Sequence, residues 1–267
     1  MALAPKLTER MEQGDQVLHR QDARVKLILT LAFLLVLGLA PTGAWPAYVL
    51  FAALVFSLET LSGVGWRYYF SRALVAVAFA LAAVPLIFQP GGAQLASWHV
   101  AGIPVGIYSA GLERFLSIAL KTWLAMQAAL LLGVTTSFPS LLSAMRQLHL
   151  PKILVAVGGL MWRYLFLFEE EARRLMAARA SRSASPGWSH QPSLIWRARV
   201  TGGMAGSLLL RSIERSERVY AAMLARGYNG ELPLPPKQVL KKRDRWLLTA
   251  GVAVLGFLWL VSFVFGG

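Results

Sequence analysis

The apolar residues of this chain fall in long runs broken by short polar stretches. This is neither the one-sided stripe of a soluble surface helix nor the alternation of a half-buried strand. Crossing a bilayer core takes about 20 mostly apolar residues, within a range of roughly 17–25. Five runs approach that length: 25–40, 45–61, 73–88, 107–134 and 246–265. The first is closed by the turn signal Pro41-Thr42-Gly43 and the third by Gln89-Pro90-Gly91-Gly92. The fourth carries Glu113, Arg114 and Lys121. Segment 153–168, apolar apart from Arg163, stands as an alternative sixth or re-entrant span.

Between the fourth and last runs the pattern becomes amphipathic. A short helix is expected over 139–148. Pro151 suits the first turn of the next helix, over 152–182, which starts apolar and ends polar. Glu169/Arg173 and Glu170/Arg174 are i,i+4 pairs on it, acid first, the favourable order. A linker with Pro186, Gly187 and Pro192 leads to a second helix over 193–226. Leu209, Ile213, Tyr220 and Leu224 fall near one face of it, and Arg211, Glu214, Arg215 and Arg218 near the other. Gly202, Gly203 and Gly206 mark a place for a bend or for close approach of another helix. Gly227 suits a C-terminal cap. Pro233, Pro235 and Pro236 then break the chain. The expected fold is all-α: a polytopic helical membrane protein with about five transmembrane helices and two long amphipathic helices on the cytoplasmic side. Its regions are 1–24 (cytoplasmic segment), 25–134 (four spans), 135–240 (cytoplasmic helices) and 241–267 (last span).

Charge sets the orientation. The formal net charge is +14. In a soluble protein that would raise nucleic acid as a partner. Here the excess of Lys and Arg in cytoplasmic loops explains it, and no nucleic-acid role is expected. The first 26 residues hold Lys6, Arg10, Arg20, Arg24 and Lys26, and the second loop holds Arg67 and Arg72. The turn at 41–44 and the loop at 89–111 hold no Lys or Arg. Block 135–245 holds 18 of the 27 basic residues against 7 acidic ones, a local net of +11. This places the N-terminus and the large block in the cytoplasm and the C-terminus outside. Glu9, Glu12, Asp15 and Asp22 precede the first run, so a cleaved signal peptide is not expected.

Candidate chemistry is sparse. There is no cysteine, and His19, His99, His149 and His190 lie far from one another in sequence, so no metal ligand set and no cofactor is expected. The chain has no phosphate-binding loop, no nucleophile elbow and no zinc-protease motif. A non-catalytic protein is expected. Two triplets stand out: Ala178-Arg179-Ala180 and Ala225-Arg226-Gly227, each at the end of one long helix. A guanidinium offers five donors and binds a carboxylate bidentately, and the small neighbours let a helix end enter a groove. The plainer account is that each arginine complements the negative helix C-terminus. Glu113, Arg114, Lys121 and Glu59 are charges at or near membrane depth, where charge is costly. The positive-inside rule covers Arg20, Arg24 and Lys26 before the first run, but it has no need of Asp22.

These residues resemble the transmembrane coupling (T) component of energy-coupling factor transporters. The resemblance rests on a His-Arg-x-Asp-x-Arg-x-Lys-like string at 19–26, a Pro-Lys-led apolar helix reaching Arg163 and Glu169–Glu171, and the two triplets, in that order over most of the chain. The first triplet has Ala180 where the family commonly has glycine. Within the family the chain is most similar to the CbiQ-like cobalt-transport branch. The resemblance implies a T subunit of an ABC-type importer in the inner membrane of a bacterium, taking up cobalt(II) for cobalamin synthesis. It implies ATP-binding cassette ATPase subunits as partners, with Ala178, Arg179, Ala180, Ala225, Arg226 and Gly227 as their binding site. It also implies a CbiM-like substrate-binding membrane subunit with a CbiN-like accessory. Nickel or a vitamin as substrate, and a membrane scaffold without transport, remain the alternatives.

Overall fold

The computed structural model describes residues 21–63, 66–73, 75–88, 91, 94–100, 103–183, 193–230 and 242–266. It is helical except for one two-stranded hairpin. The helices are α1 (Ala23–Leu39), α2 (Trp45–Leu61), α3 (Trp66–Ala73), α4 (Val75–Leu81), α5 (Ser109–Thr135), α6 (Phe138–Gln147), α7 (Lys152–Ser183), α8 (Leu194–Ala225) and α9 (Lys242–Gly266). The chain divides into two compact units, residues 1–144 with 237–267, and residues 145–236.

The first unit is built on α1, α2, α5 and α9. Phe33, Leu37, Tyr48, Phe51, Val55, Leu124, Leu255 and Leu258 form its core. Phe33 and Phe51 meet edge to face, with ring centroids 5.7 Å apart. The opposite faces are left bare: Leu35, Leu39, Val49, Phe257, Phe263 and Trp246 are exposed. An exposed apolar surface of this extent marks a face that meets lipid or another apolar partner. Helices α5 and α9 are long and apolar enough to cross a membrane, whereas α2 is shorter. At 17 residues, α1 and α2 sit at the lower limit for a span.

The third apolar run is not one helix. Helix in this run ends at Leu81, and a short 3-10 turn, Val84–Phe88, follows. Pro85 brings no amide proton and disfavours a helical residue before it, so the helix stops short of it. The loop expected at 89–111 contains a hairpin: β1 (Gln94–Val100) pairs antiparallel with β2 (Ile103–Tyr108), Trp98 opposite Val105 and His99 opposite Pro104. Consequently α5 begins at Ser109, two residues later than the apolar run suggested. Segment 153–168 is the first part of α7, which does not pass as long and apolar enough to span.

Charged groups at the helix ends brace this unit. Asp22 caps α1, its Oδ1 accepting from the Arg24 amide at 3.0 Å. The Lys26 ammonium donates to the carbonyl of Thr135, the last residue of α5, at 2.8 Å. The Lys121 ammonium donates to the carbonyl of Ala40 at the end of α1, at 2.5 Å. Around the same turn, Tyr48 donates to the Pro41 carbonyl at 2.7 Å and the Gly43 amide donates to Ser117 at 3.3 Å. The last carbonyls of a helix have no partner within it, and a lysine there satisfies one of them with charge of the right sign.

Candidate functional site

The second unit carries both arginine triplets. Pro151 precedes α7 and its carbonyl accepts from Leu154 at 3.0 Å, so the chain turns directly into a helix of 32 residues. The expected pairs form on its outer face: Arg173 with Glu169 and Arg174 with Glu170, each at 2.5 Å. Ser193 caps α8 by accepting from the Trp196 amide at 3.3 Å. Helix α8 then runs unbroken for 32 residues. Gly202, Gly203 and Gly206 receive no neighbour among the described residues, since nothing lies within 4 Å of a Cβ at those positions.

The two helices lie antiparallel. Late residues of α7 meet early residues of α8, as Arg179 does with Thr201 and Glu171 with Arg211. Where the first half of α7 faces the second half of α8 there is an apolar cleft of ≈ 650 Å³. Val157, Met161, Tyr164 and Phe168 line one wall, and Ile213 and Tyr220 the other.

The triplets differ in placement. Arg226 is the C-terminal cap residue of α8, as expected. Gly227 follows with φ +78°, its amide bonding to Leu224 at 2.9 Å and the Tyr228 amide to Met223 at 3.0 Å. This is the Schellman closure, whose left-handed residue favours glycine. Ala225, Arg226 and Gly227 are all exposed. Arg179, by contrast, does not end its helix. Ala180 supplies no left-handed stop where the second triplet has glycine, and α7 continues through Ser183. Arg179 therefore sits about one turn inside the helix, flanked by exposed Ala178 and Ala180. Its guanidinium donates to Thr201 Oγ1 at 3.1 Å and lies 5.8 Å from the centre of the Trp196 ring. Nothing in the sequence links Thr201 or Trp196 to Arg179, because the contact depends on how α8 returns along α7.

Glu171 was legible only as part of an acidic stretch. In the structure it reaches across to α8, Oε1 3.3 Å from Arg211 and Oε2 3.8 Å from Arg215. Among the described residues no three His, Asp or Glu side chains gather as a metal ligand set. His149 has φ +65° and closes α6, its amide bonding to Arg146 and that of Leu150 to Met145, each at 3.2 Å. His19 and His190 lie outside the described residues, as does most of the linker before α8.

Apolar helices with bare outer faces, together with a basic pair of long helices, fit a membrane protein. The family of cobalt transport proteins named CbiQ matches residues 14–236. The chain belongs to that family and is a transmembrane component of the energy-coupling factor type. It is 25% identical over 257 residues to the energy-coupling factor transporter transmembrane protein EcfT of Lactobacillus helveticus, covering 92% of this chain and 90% of that one. It is 24% identical over 224 residues to a putative fused cobalt transport protein CbiMQ of Methanocorpusculum labreanum, covering 83% of this chain and 36% of the fused protein. It is 30% identical over 145 residues to the nickel permease LarQ of Lactiplantibacillus plantarum, covering 54% and 50%. The family is one of transporter membrane components, which places the protein in a membrane.

Proposed function

We propose that this chain is the T subunit of a cobalt(II) importer, with Arg179 and Arg226 as its two anchors for ATP-binding cassette subunits. The supporting observation is the arrangement of the triplets on one antiparallel helix pair in a chain of the CbiQ family. Each ATPase subunit takes one arginine into a groove lined by carboxylates, and Ala178, Ala180, Ala225 and Gly227 keep the surrounding backbone low enough to enter. ATP-driven closure moves α7 and α8, and the membrane helices pass that motion to a substrate-binding subunit. That subunit, CbiM-like with a CbiN-like accessory, holds the ion. The relative described as a fused CbiMQ protein supports such a partner. The complex sits in the cytoplasmic membrane, multi-pass, with the N-terminus and the α7–α8 unit in the cytoplasm. Similarity to a nickel permease supports nickel(II) as the second reading of the substrate.

The test is co-purification in mild detergent of the tagged chain from its native host, beside Arg179→Glu/Arg226→Glu. Breaking a buried interfacial charge pair costs about 2–5 kcal/mol, or roughly 30-fold or more in affinity. The wild type should retain an ATPase and a second membrane subunit, and the variant should lose the ATPase alone. An ATPase retained despite both reversals would remove the anchoring role of the triplets. Uptake of cobalt(II) against nickel(II) by the intact complex decides the substrate.

A further inference from the structure

We propose that Glu171, held between Arg211 and Arg215, is the pivot about which α7 and α8 turn when the ATPase subunits close. The inference rests on the coupling role above and adds to it the residue that makes the coupling rotational.

The geometry starts from the antiparallel pairing. Arg179 lies eight residues beyond Glu171 on α7, about 12 Å along the axis at 1.5 Å per residue. Arg226 lies 11 residues beyond Arg215 on α8, about 16 Å along an axis running the other way. The two anchors therefore project from opposite sides of the Glu171 contact. Forces applied at them act on opposite arms. Pulls that would merely translate a single helix here produce a torque about the point where the helices are tied.

The chemistry at that point suits turning better than locking. The Glu171 carboxylate addresses two guanidinium groups four residues apart, at 3.3 Å and 3.8 Å. Arg211 and Arg215 stack one turn apart on the same face of α8. As the helices rotate, the carboxylate can shorten one contact while lengthening the other, so the tie survives the motion. The groups are 20%, 58% and 35% exposed, so the contact contributes little to folding stability and its value is positional. On the Arg226 side of the pivot the helices are separated by the apolar cleft between Met161, Tyr164 and Phe168 on α7 and Ile213 and Tyr220 on α8. Rotation about Glu171 opens or closes that cleft without breaking backbone hydrogen bonds. The second polar tie, Arg179 to Thr201, lies on the other side and involves an anchor itself.

The experiment uses the whole complex purified with its native partners and placed in lipid vesicles. ATP hydrolysis and uptake of cobalt(II) and of nickel(II) are measured together. The variants are Glu171→Gln, Arg211→Gln/Arg215→Gln, all three neutralised, and all three reversed (Glu171→Lys with Arg211→Glu and Arg215→Glu). A pivot predicts that ATPase co-purification is kept and hydrolysis changes less than about twofold. Ions carried per ATP should fall about tenfold in Glu171→Gln. The three neutralisations together should be no worse than Glu171→Gln alone, because they remove one shared contact. Reversing all three charges should restore transport to within about twofold, which a fold defect would not allow. Unchanged ions per ATP in Glu171→Gln, losses that multiply, or no recovery on reversal would each overturn the pivot. A wild-type chain that retains no ATPase would instead overturn the coupling reading, and the pivot with it.

Discussion

At the scale of single residues, several charges that look expensive in the sequence prove to be helix-end fittings. Lys121 stands within an apolar run, yet its ammonium serves the carbonyl of Ala40 where α1 ends. Lys26 does the same for α5 through Thr135, and Asp22, unexplained by positive-inside charge, caps α1. These partners lie 81 and 109 residues away for the two lysines, so no local pattern could show them. The helix caps themselves are more local, and two of them allow opposite predictions. His149 and Gly227 occupy the same left-handed position after α6 and α8, and both are exposed. A side chain there is strained, so His149→Gly should stabilise its closure, and Gly227→Ala should weaken its own, by about 0.5–1 kcal/mol each. Amide exchange in detergent should slow about two- to fivefold at Leu150 and speed up by a similar factor at Tyr228. Equal responses of the same sign would show that the left-handed backbone does not decide these ends. The contrast also explains why α8 stops at the second triplet while α7 runs on past the first. Gly227 halts α8 just after Arg226, whereas Ala180 gives α7 no reason to stop at Arg179.

At the scale of elements, periodicity carried the long helices well. The boundaries expected for the two amphipathic helices fall within a residue of Lys152–Ser183 and Leu194–Ala225. It carried the third apolar run badly, because a mean over sixteen apolar residues does not register what Pro85 removes from the backbone. The resulting turn is held by close packing. A Cβ on Gly111, in the first turn of α5, would sit 2.6 Å from the carbonyl oxygens of Leu86 and Ile87. Those are backbone atoms and cannot swing aside, so Gly111→Ala must push α5 off the Val84–Phe88 turn. Overpacking of this kind costs about 1–3 kcal/mol, read as a lower unfolding temperature in detergent. Gly133→Ala is the matched control: it is also on α5 with nothing within 4 Å, so it should be neutral or stabilise by up to about 1 kcal/mol. If both variants behave alike, the Gly111 contact is not what fixes this end of the helix. The hairpin Gln94–Tyr108 also escaped notice, although Ser97-Trp98-His99-Val100 alternates as a strand should. Four alternating residues in a loop between two apolar runs are too short a signal to separate a strand from a connection.

At the scale of the whole molecule, hydropathy and charge give an answer that length alone does not. Only α5 and α9 pass as full-length apolar spans among the described residues, while α1 and α2 are marginal at 17 residues. The charge pattern nevertheless fits α1 and α2 as a pair of crossings. The segments before α1 and after α2 are basic, and the turn between them holds no Lys or Arg. The chain lacks cysteine, so single thiols report the side of the membrane cleanly. In intact cells, Thr42→Cys, exposed in the α1–α2 turn, should react with a membrane-impermeant maleimide. Asn229→Cys, just past the second arginine triplet, should react only after the membrane is opened. The second thiol also decides between five spans and six. If 153–168 crossed the bilayer, everything from Glu169 to the end of α8 would lie outside. Asn229→Cys would then label in intact cells, and Arg226 could not meet a cytoplasmic ATPase. Arg173, Arg174, Arg179 and Arg182 just after 168, and Lys241, Lys242, Arg243 and Arg245 just before 246, make that arrangement costly, because Lys and Arg close to span ends resist translocation. Labelling of Asn229→Cys from outside would therefore overturn the orientation and the docking of ATPase at Arg226 in a single observation. Protection of that thiol, with Thr42→Cys exposed, would put α7 and α8 on the cytoplasmic side, as the proposed docking at Arg179 and Arg226 requires.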